Sequence, residues 1–184
     1  YLKLTINLAS IYRDMKKYDE AEKIYLQAIE IKQKKLGTGH PDYAHLKRGL
    51  AGLYWEMGKN ELVEKNLVSA LDIYVRKFGD KNSATTATRS DLATYYRVNG
   101  DKTKALEYMN TVVDADKAIY GENHPEYIKQ LENLAIAQWV NNKNTEASAN
   151  YKVVLDKTSA YIDDYFSTLS ETEKTKFWDK ILPR

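Results

Sequence analysis

The feature that most constrains this chain is a repeat with a period of 42 residues. Gly37, Gly79 and Gly121 stand one period apart, in the phrases LGTGHPDY, FGDKNSAT and YGENHPEY. Gly58 and Gly100 are again one period apart, and Pro41 and Pro125 two. The same step aligns Leu8, Leu50, Leu92 and Leu134, with Ala9, Ala51, Ala93 and Ala135 beside them. Tyr12, Tyr54 and Tyr96 form a further column that Gln138 breaks. Ala21, Val63, Ala105 and Ala147, then Ala28, Ala70, Val112 and Val154, complete the lattice. Units of this size cannot bury their apolar faces alone, so neighbours must stack into one continuous core.

Each unit reads as two helices. In the first unit Leu8, Ile11, Tyr12 and Met15 keep helical spacing, and Ala21, Ile24, Tyr25, Ala28 and Ile31 repeat it. Strict apolar–polar alternation is absent and the whole chain has only three prolines, so strands are not expected. Gly58 and Gly100 fall just past the first helix of their units, where a left-handed residue ends a helix. Asn142 tolerates that conformation in the fourth unit, and Lys16 tolerates it less well in the first. His40-Pro41-Asp42 and His124-Pro125-Glu126 open the next helix: proline there loses no hydrogen bond, and the acid favours the helix dipole. Asn82-Ser83 takes that place in the third unit, and asparagine is a good N-cap. The alanine columns let paired helices approach closely, and the tyrosine column fills the space beside them. The expected units are 2–40, 41–82, 83–124 and 125–168. Residues 169–184 form a separate segment, in which Ser170-Glu171-Thr172-Glu173 reads as a capping box. It is expected to open a short helix carrying Phe177, Trp178 and Ile181 across the end of the array.

Composition removes several functions. The 28 basic and 26 acidic residues nearly cancel, which argues against nucleic-acid binding. No apolar run is long enough for a transmembrane helix. The absence of cysteine excludes disulfides, thiolate zinc sites and a cysteine nucleophile. No signal peptide opens the chain, and a cytoplasmic location is the expectation. No H-E-x-x-H, phosphate loop or G-x-G-x-x-G is present. His40 and His45 flank Asp42, but His40 and His124 occupy equivalent linker slots, so turn structure is expected rather than a metal site. No cofactor is expected, and with no nucleophile–base pair in view neither is an enzyme.

The lattice resembles the tetratricopeptide repeat. Ala9, Tyr12, Ala21 and Ala28 carry the resemblance, and INLASIY, YDEAEKIYLQAIEI and KLGTGHPDYA are similar to the 42-residue units of kinesin light chains and many bacterial relatives. It covers about residues 2–168. It implies an all-α, right-handed superhelix of four helix pairs plus a C-terminal capping helix, with the first helices lining a concave groove for a peptide or protein. Projected onto this chain, the groove candidates are Asn7, Arg13, Arg48, Trp55, Asp91, Arg97, Asn133 and Trp139. Arg13, Trp55, Arg97 and Trp139 share one column and are of the residue types most enriched at binding hot spots. Arginine grips carboxylates with two hydrogen bonds, and tryptophan supplies rigid apolar area. Asn7, Asp91 and Asn133 share another column and suit a peptide backbone. Two alternatives stay open: the tryptophans pack on neighbouring helices, and Arg13 and Arg97 pair with Asp14, Glu56 or Asp91.

The phrase TLSETEKTKFW resembles the segment that follows the repeats in bacterial proteins carrying a CHAT domain, a caspase-like peptidase. That resemblance implies a second role, as the regulatory part of a larger enzyme whose catalytic residues lie outside these 184 residues. A transcriptional or signalling regulator with its DNA-binding part elsewhere is a further possibility. The chain starts without methionine, with Leu2, Leu4 and Ile6 uncovered unless something precedes them. Further repeats upstream are expected, or self-association through that N-terminal face.

Overall fold

A computed structural model describes residues 2–175, with side chains from Leu4 onward. The helices are α1 (Leu2–Asp14), α2 (Tyr18–Leu36), α3 (Pro41–Glu56), α4 (Asn60–Phe78), α5 (Ser83–Val98), α6 (Lys102–Tyr120), α7 (Pro125–Val140) and α8 (Asn144–Thr168). They pair in chain order, and each packs mainly on its sequence neighbours. The pairs stack as a right-handed α-superhelix.

Two backbone devices set the repeat. The first ends each odd-numbered helix. Gly58 and Gly100 have φ of +70° and +87°, and Lys16 and Asn142 take the same slot at +58° and +61°. The amide one residue later donates to the carbonyl of Tyr12, Tyr54, Tyr96 or Gln138, each time at 2.9 Å. This is the six-to-one bond of a Schellman cap, and it satisfies a carbonyl that the helix leaves without a partner. The second device ends the even-numbered helices. Gly37, Gly79 and Gly121 combine φ of 79°, 77° and 84° with ψ of 167°, −174° and 165°. Only glycine occupies that region without strain. The next helix then starts on a side-chain cap. His40 and His124 accept the amides of Asp42 and Glu126 through Nδ1, both at 3.1 Å, and Asn82 accepts the Ala84 amide at 2.9 Å.

The core follows the columns. Leu46, Leu50, Leu53 and Leu92 are fully buried, and Ala9, Ala21, Ala51, Ala70 and Ala105 mark the close approaches. Ala51→Leu puts three extra carbons into such a contact and should cost about 1–3 kcal/mol. An unchanged thermal midpoint would remove that packing role.

The tyrosine column is polar at its tips. Tyr54 Oη donates to Glu22 at 2.7 Å, and one period on Tyr96 Oη donates to Glu64 at 2.6 Å. Burial, then the neighbouring carboxylate, pushes both hydroxyls well above the ordinary tyrosine pKa. One period further the tyrosine's lattice position is Gln138 of the fourth unit, and the acceptor's is Leu106 of the third. Gln138 instead accepts Asn150 Nδ2 at 2.8 Å. The break in the tyrosine column is thus matched by the loss of its partner.

α8 has no glycine stop and runs 25 residues, against 19 for the other even-numbered helices. Beyond it, Glu173 accepts both the Ser170 amide at 3.0 Å and the Ser170 hydroxyl at 2.6 Å, and a helix starts at residue 171. Phe177, Trp178 and Ile181 lie outside the described residues.

Candidate peptide-binding groove

The repeat puts two clefts on the same face, one period apart. The first, about 260 Å³, is walled by Arg13, Arg48, Trp55, Glu56, Asp91 and Thr94 over a floor of Ala51, Gly52, Val63 and Leu67. The second, about 180 Å³, is walled by Ser90, Thr94, Arg97, Asn133 and Ile136 over Ala93, Ala105, Met109 and Ala137. Most residues of the second are those of the first moved on by 42. Small residues of the first helix, Ala51 and Gly52 in one cleft and Ala93 in the other, keep both floors open, and Leu67 and Met109 of the second helix close them from below.

The clefts differ in charge. In the first, Arg48 Nε meets Asp91 Oδ2 at 2.6 Å. Arg13 reaches Glu56 and Asp14, both at 3.3 Å, and the Ser10 hydroxyl at 3.1 Å. The guanidinium groups there are already answered by acids of the array itself. In the second cleft Ser90 and Asn133 replace Arg48 and Asp91. Arg97 is exposed, and its guanidinium has no hydrogen bond or ion pair among the described residues. Asn133 Nδ2 donates to Gln130 Oε1 at 3.1 Å, and Gln130 donates on to Glu126 at 2.9 Å.

The structure therefore brings Arg13, Arg48, Trp55 and Asp91 to one cleft, and Arg97 and Asn133 to the other. Asn7 and Trp139 line neither. Trp55 is 36% exposed and meets the Tyr95 ring edge-on at 6.1 Å, whereas Trp139 is 65% exposed. Packing thus takes part of Trp55 and little of Trp139. Arg13 makes the internal pairs that were the alternative to ligand binding, and Arg97 does not.

One period earlier the lattice is filled differently. Tyr25 occupies the floor position held by Leu67 and Met109, and it is 2% exposed. A Cβ on Gly49 would lie 2.8 Å from Tyr25 Cε1 and 2.9 Å from its hydroxyl. Gly49 is the missing member of the Asn7, Asp91 and Asn133 column, and the tyrosine ring explains its lack of a side chain. The sequence reading missed this exchange, and it also missed a polar cavity around Asp116. In both places the signal is a break in a column.

Among the described residues no group of three or more His, Asp or Glu could hold a metal ion, and no helix is long and apolar enough to cross a membrane.

Stacked helix pairs with a repeated cleft on one face define a superhelical repeat scaffold. Two tetratricopeptide repeat profiles match, one over residues 2–76 and one over 85–126, together more than half of the chain. The chain belongs to the tetratricopeptide repeat family. Solved structures agree on the fold. Nearly identical TPR-like repeats of a chain from Podosopora anserina, described as a kinesin light chain, are 23% identical with a TM-score of 0.77, covering 92% of this chain and 77% of that one. BtubC (BKLC) from P. vanneervenii is 19% identical with a TM-score of 0.76, covering 87% of this chain and 64% of that one. MamA is 15% identical with a TM-score of 0.63, covering 89% and 81%. A search of curated protein sequences gives no match.

Proposed function

We propose that this chain holds an extended peptide or a partner protein in the groove of its odd-numbered helices, and that Arg97 receives an acidic group of that ligand. The observation that carries this reading is the contrast between equivalent clefts. Arg13 and Arg48 are neutralised within the first, while Arg97 stands exposed on the second beside Ser90, Thr94 and Asn133. A free guanidinium next to hydroxyl and amide groups suits a carboxylate on an extended backbone. The chemistry of the cleft is recognition: it offers charge, hydrogen bonds and an apolar floor.

Peptides selected from a displayed random library on this chain test the reading. Arg97→Ala should weaken a selected peptide by about 2 kcal/mol, roughly thirtyfold, with the helical melt unchanged. Equal affinity of Arg97→Ala and the parent for every selected peptide would remove Arg97 from the site. A second reading, as the regulatory segment of a larger bacterial enzyme such as a CHAT peptidase, rests on the phrase TLSETEKTKFW, whose last residues lie outside those described. The reading frame beyond Arg184 decides it: a histidine and a cysteine in a caspase-like α/β pattern would support it, and an early stop would end it.

A further inference from the structure

At the third junction between units, where α6 ends and α5 and α7 begin, lies a polar cavity of about 220 Å³. Ser83, Thr86, Asp116, His124, Glu126 and Gln130 line it. Asp116 is 3% exposed, and its Oδ1 has no hydrogen-bond partner among the described residues. Burial pushes the Asp116 carboxyl above its ordinary range; the Thr86 hydroxyl pulls it back, and the Glu126 charge raises it further. A buried carboxyl with one oxygen left unpartnered is expensive, so its retention needs a reason.

The lattice supplies one. Two periods earlier the positions of Asp116 and Glu126 are Lys32 and Asp42. Lys32 Nζ meets Asp42 Oδ2 there at 2.6 Å, and the Lys32 side chain is largely buried. At the middle junction the pair is Tyr74 and Ala84, which carries no charge. The third junction thus keeps the acid of the first and puts a second acid where the ammonium stood.

We infer that this junction binds a primary alkylammonium group, placed where Lys32 Nζ sits at the first junction. An ammonium has three N–H donors on a narrow stem, and Asp116 and Glu126 offer carboxylate acceptors beside the Thr86 hydroxyl and the Gln130 amide. Two carboxylates fall short of the six to eight oxygens that calcium takes, and no metal-holding group of three occurs among the described residues. His124 is committed, its Nδ1 accepting the Glu126 amide while its ring stacks on Tyr120 at 4.6 Å. That ring pair gives the alkyl stem an apolar wall. The ammonium can belong to a free alkylamine or to a lysine side chain. The site lies at the opposite end of α5, α6 and α7 from the Arg97 cleft and stands independently of the groove.

The test uses the full chain and two probes, n-butylammonium chloride and Nα-acetyl-lysine methylamide, each against sodium chloride at equal ionic strength. The readouts are the thermal midpoint and the amide NMR shifts of Thr86 and Glu126. A saturable response at millimolar concentration is expected. Equal responses assign any alkylammonium, and a response to the lysine amide alone assigns a peptide lysine. Asp116→Asn should raise the midpoint without ligand and abolish the response, because it removes the buried charge and keeps the shape. Glu126→Gln, a milder change at a partly exposed position, should weaken the probe at least about threefold. Asp116→Lys should restore the internal pair of the first junction and also abolish the response. No response to either probe at about 50 mM, or an unchanged response in Asp116→Asn, would overturn the inference.

Discussion

Leu92→Ala should lower stability by about 2–5 kcal/mol, while Leu8→Ala should cost well under about 1 kcal/mol. The two leucines share one lattice column, so chemistry and local helix geometry are held constant. Only the neighbours differ. Leu92 is 0% exposed and its equivalents Leu50 and Leu134 are 2% and 6%, whereas Leu8 is 47% exposed. From α3 onward, each odd-numbered helix lays this column against the second helix of the preceding unit. Among the described residues no helix lies on that side of α1. Leu4 and Ile11 are likewise open, at 72% and 55%, where their equivalents Leu46 and Leu53 are fully buried. Truncating Leu92 leaves a cavity in an interface that two units share, and in a stacked array that loss reaches both. Urea unfolding followed by circular dichroism measures the pair. Equal losses at positions 8 and 92 would show that the column does not report inter-unit packing.

Much of the fold could be read directly from the sequence, because its signals are short-range. The left-handed slot after each odd-numbered helix is decided by bonds within one turn, so Gly58, Gly100, Asn142 and even Lys16 could be placed. The same holds for His40, Asn82 and His124, whose caps reach only two residues ahead. The columns carried the stacking because one period returns each side chain to the same neighbours. What the sequence left open depends on pairs of columns. Gln138 is explained only once Leu106 is seen in place of a glutamate, and Gly49 only once Tyr25 is seen against it. The candidate groove residues came as one set, without a division between clefts. That Arg48 is taken up by Asp91 while Arg97 stays free depends on helix register across units, which no single column encodes. Trp55 and Trp139 are alike in sequence and differ by nearly a factor of two in exposure, because Tyr95 stands beside one of them.

Gly79→Val should cost about 3 kcal/mol, and Gly58→Asn less than about 1 kcal/mol, although both replace a glycine of positive φ at a helix end. Contacts do not make the difference, since an added Cβ meets nothing within 4 Å at either site. The difference lies in the backbone. Gly58 takes the slot that the chain fills at equivalent positions with Asn142 at φ 61° and Lys16 at φ 58°, so a side chain there is already accommodated twice. Gly79 combines φ 77° with ψ −174°, a region that a β-branched residue enters only with strain. The turn cannot relax cheaply. The Gly79 amide caps α4 by donating to the Val75 carbonyl at 2.9 Å. Its carbonyl accepts the hydroxyl of fully buried Thr85 at 2.9 Å. Rotating ψ to relieve the valine would break the second bond and move the start of α5 against α4. By the same reasoning Lys16→Gly should stabilise by up to about 1 kcal/mol, since it removes left-handed strain at an exposed cap. Urea midpoints of the three variants give the order Gly79→Val lowest and Lys16→Gly highest. A Gly79→Val variant as stable as Gly58→Asn would mean that the glycine period reflects something other than the backbone each unit needs to begin the next.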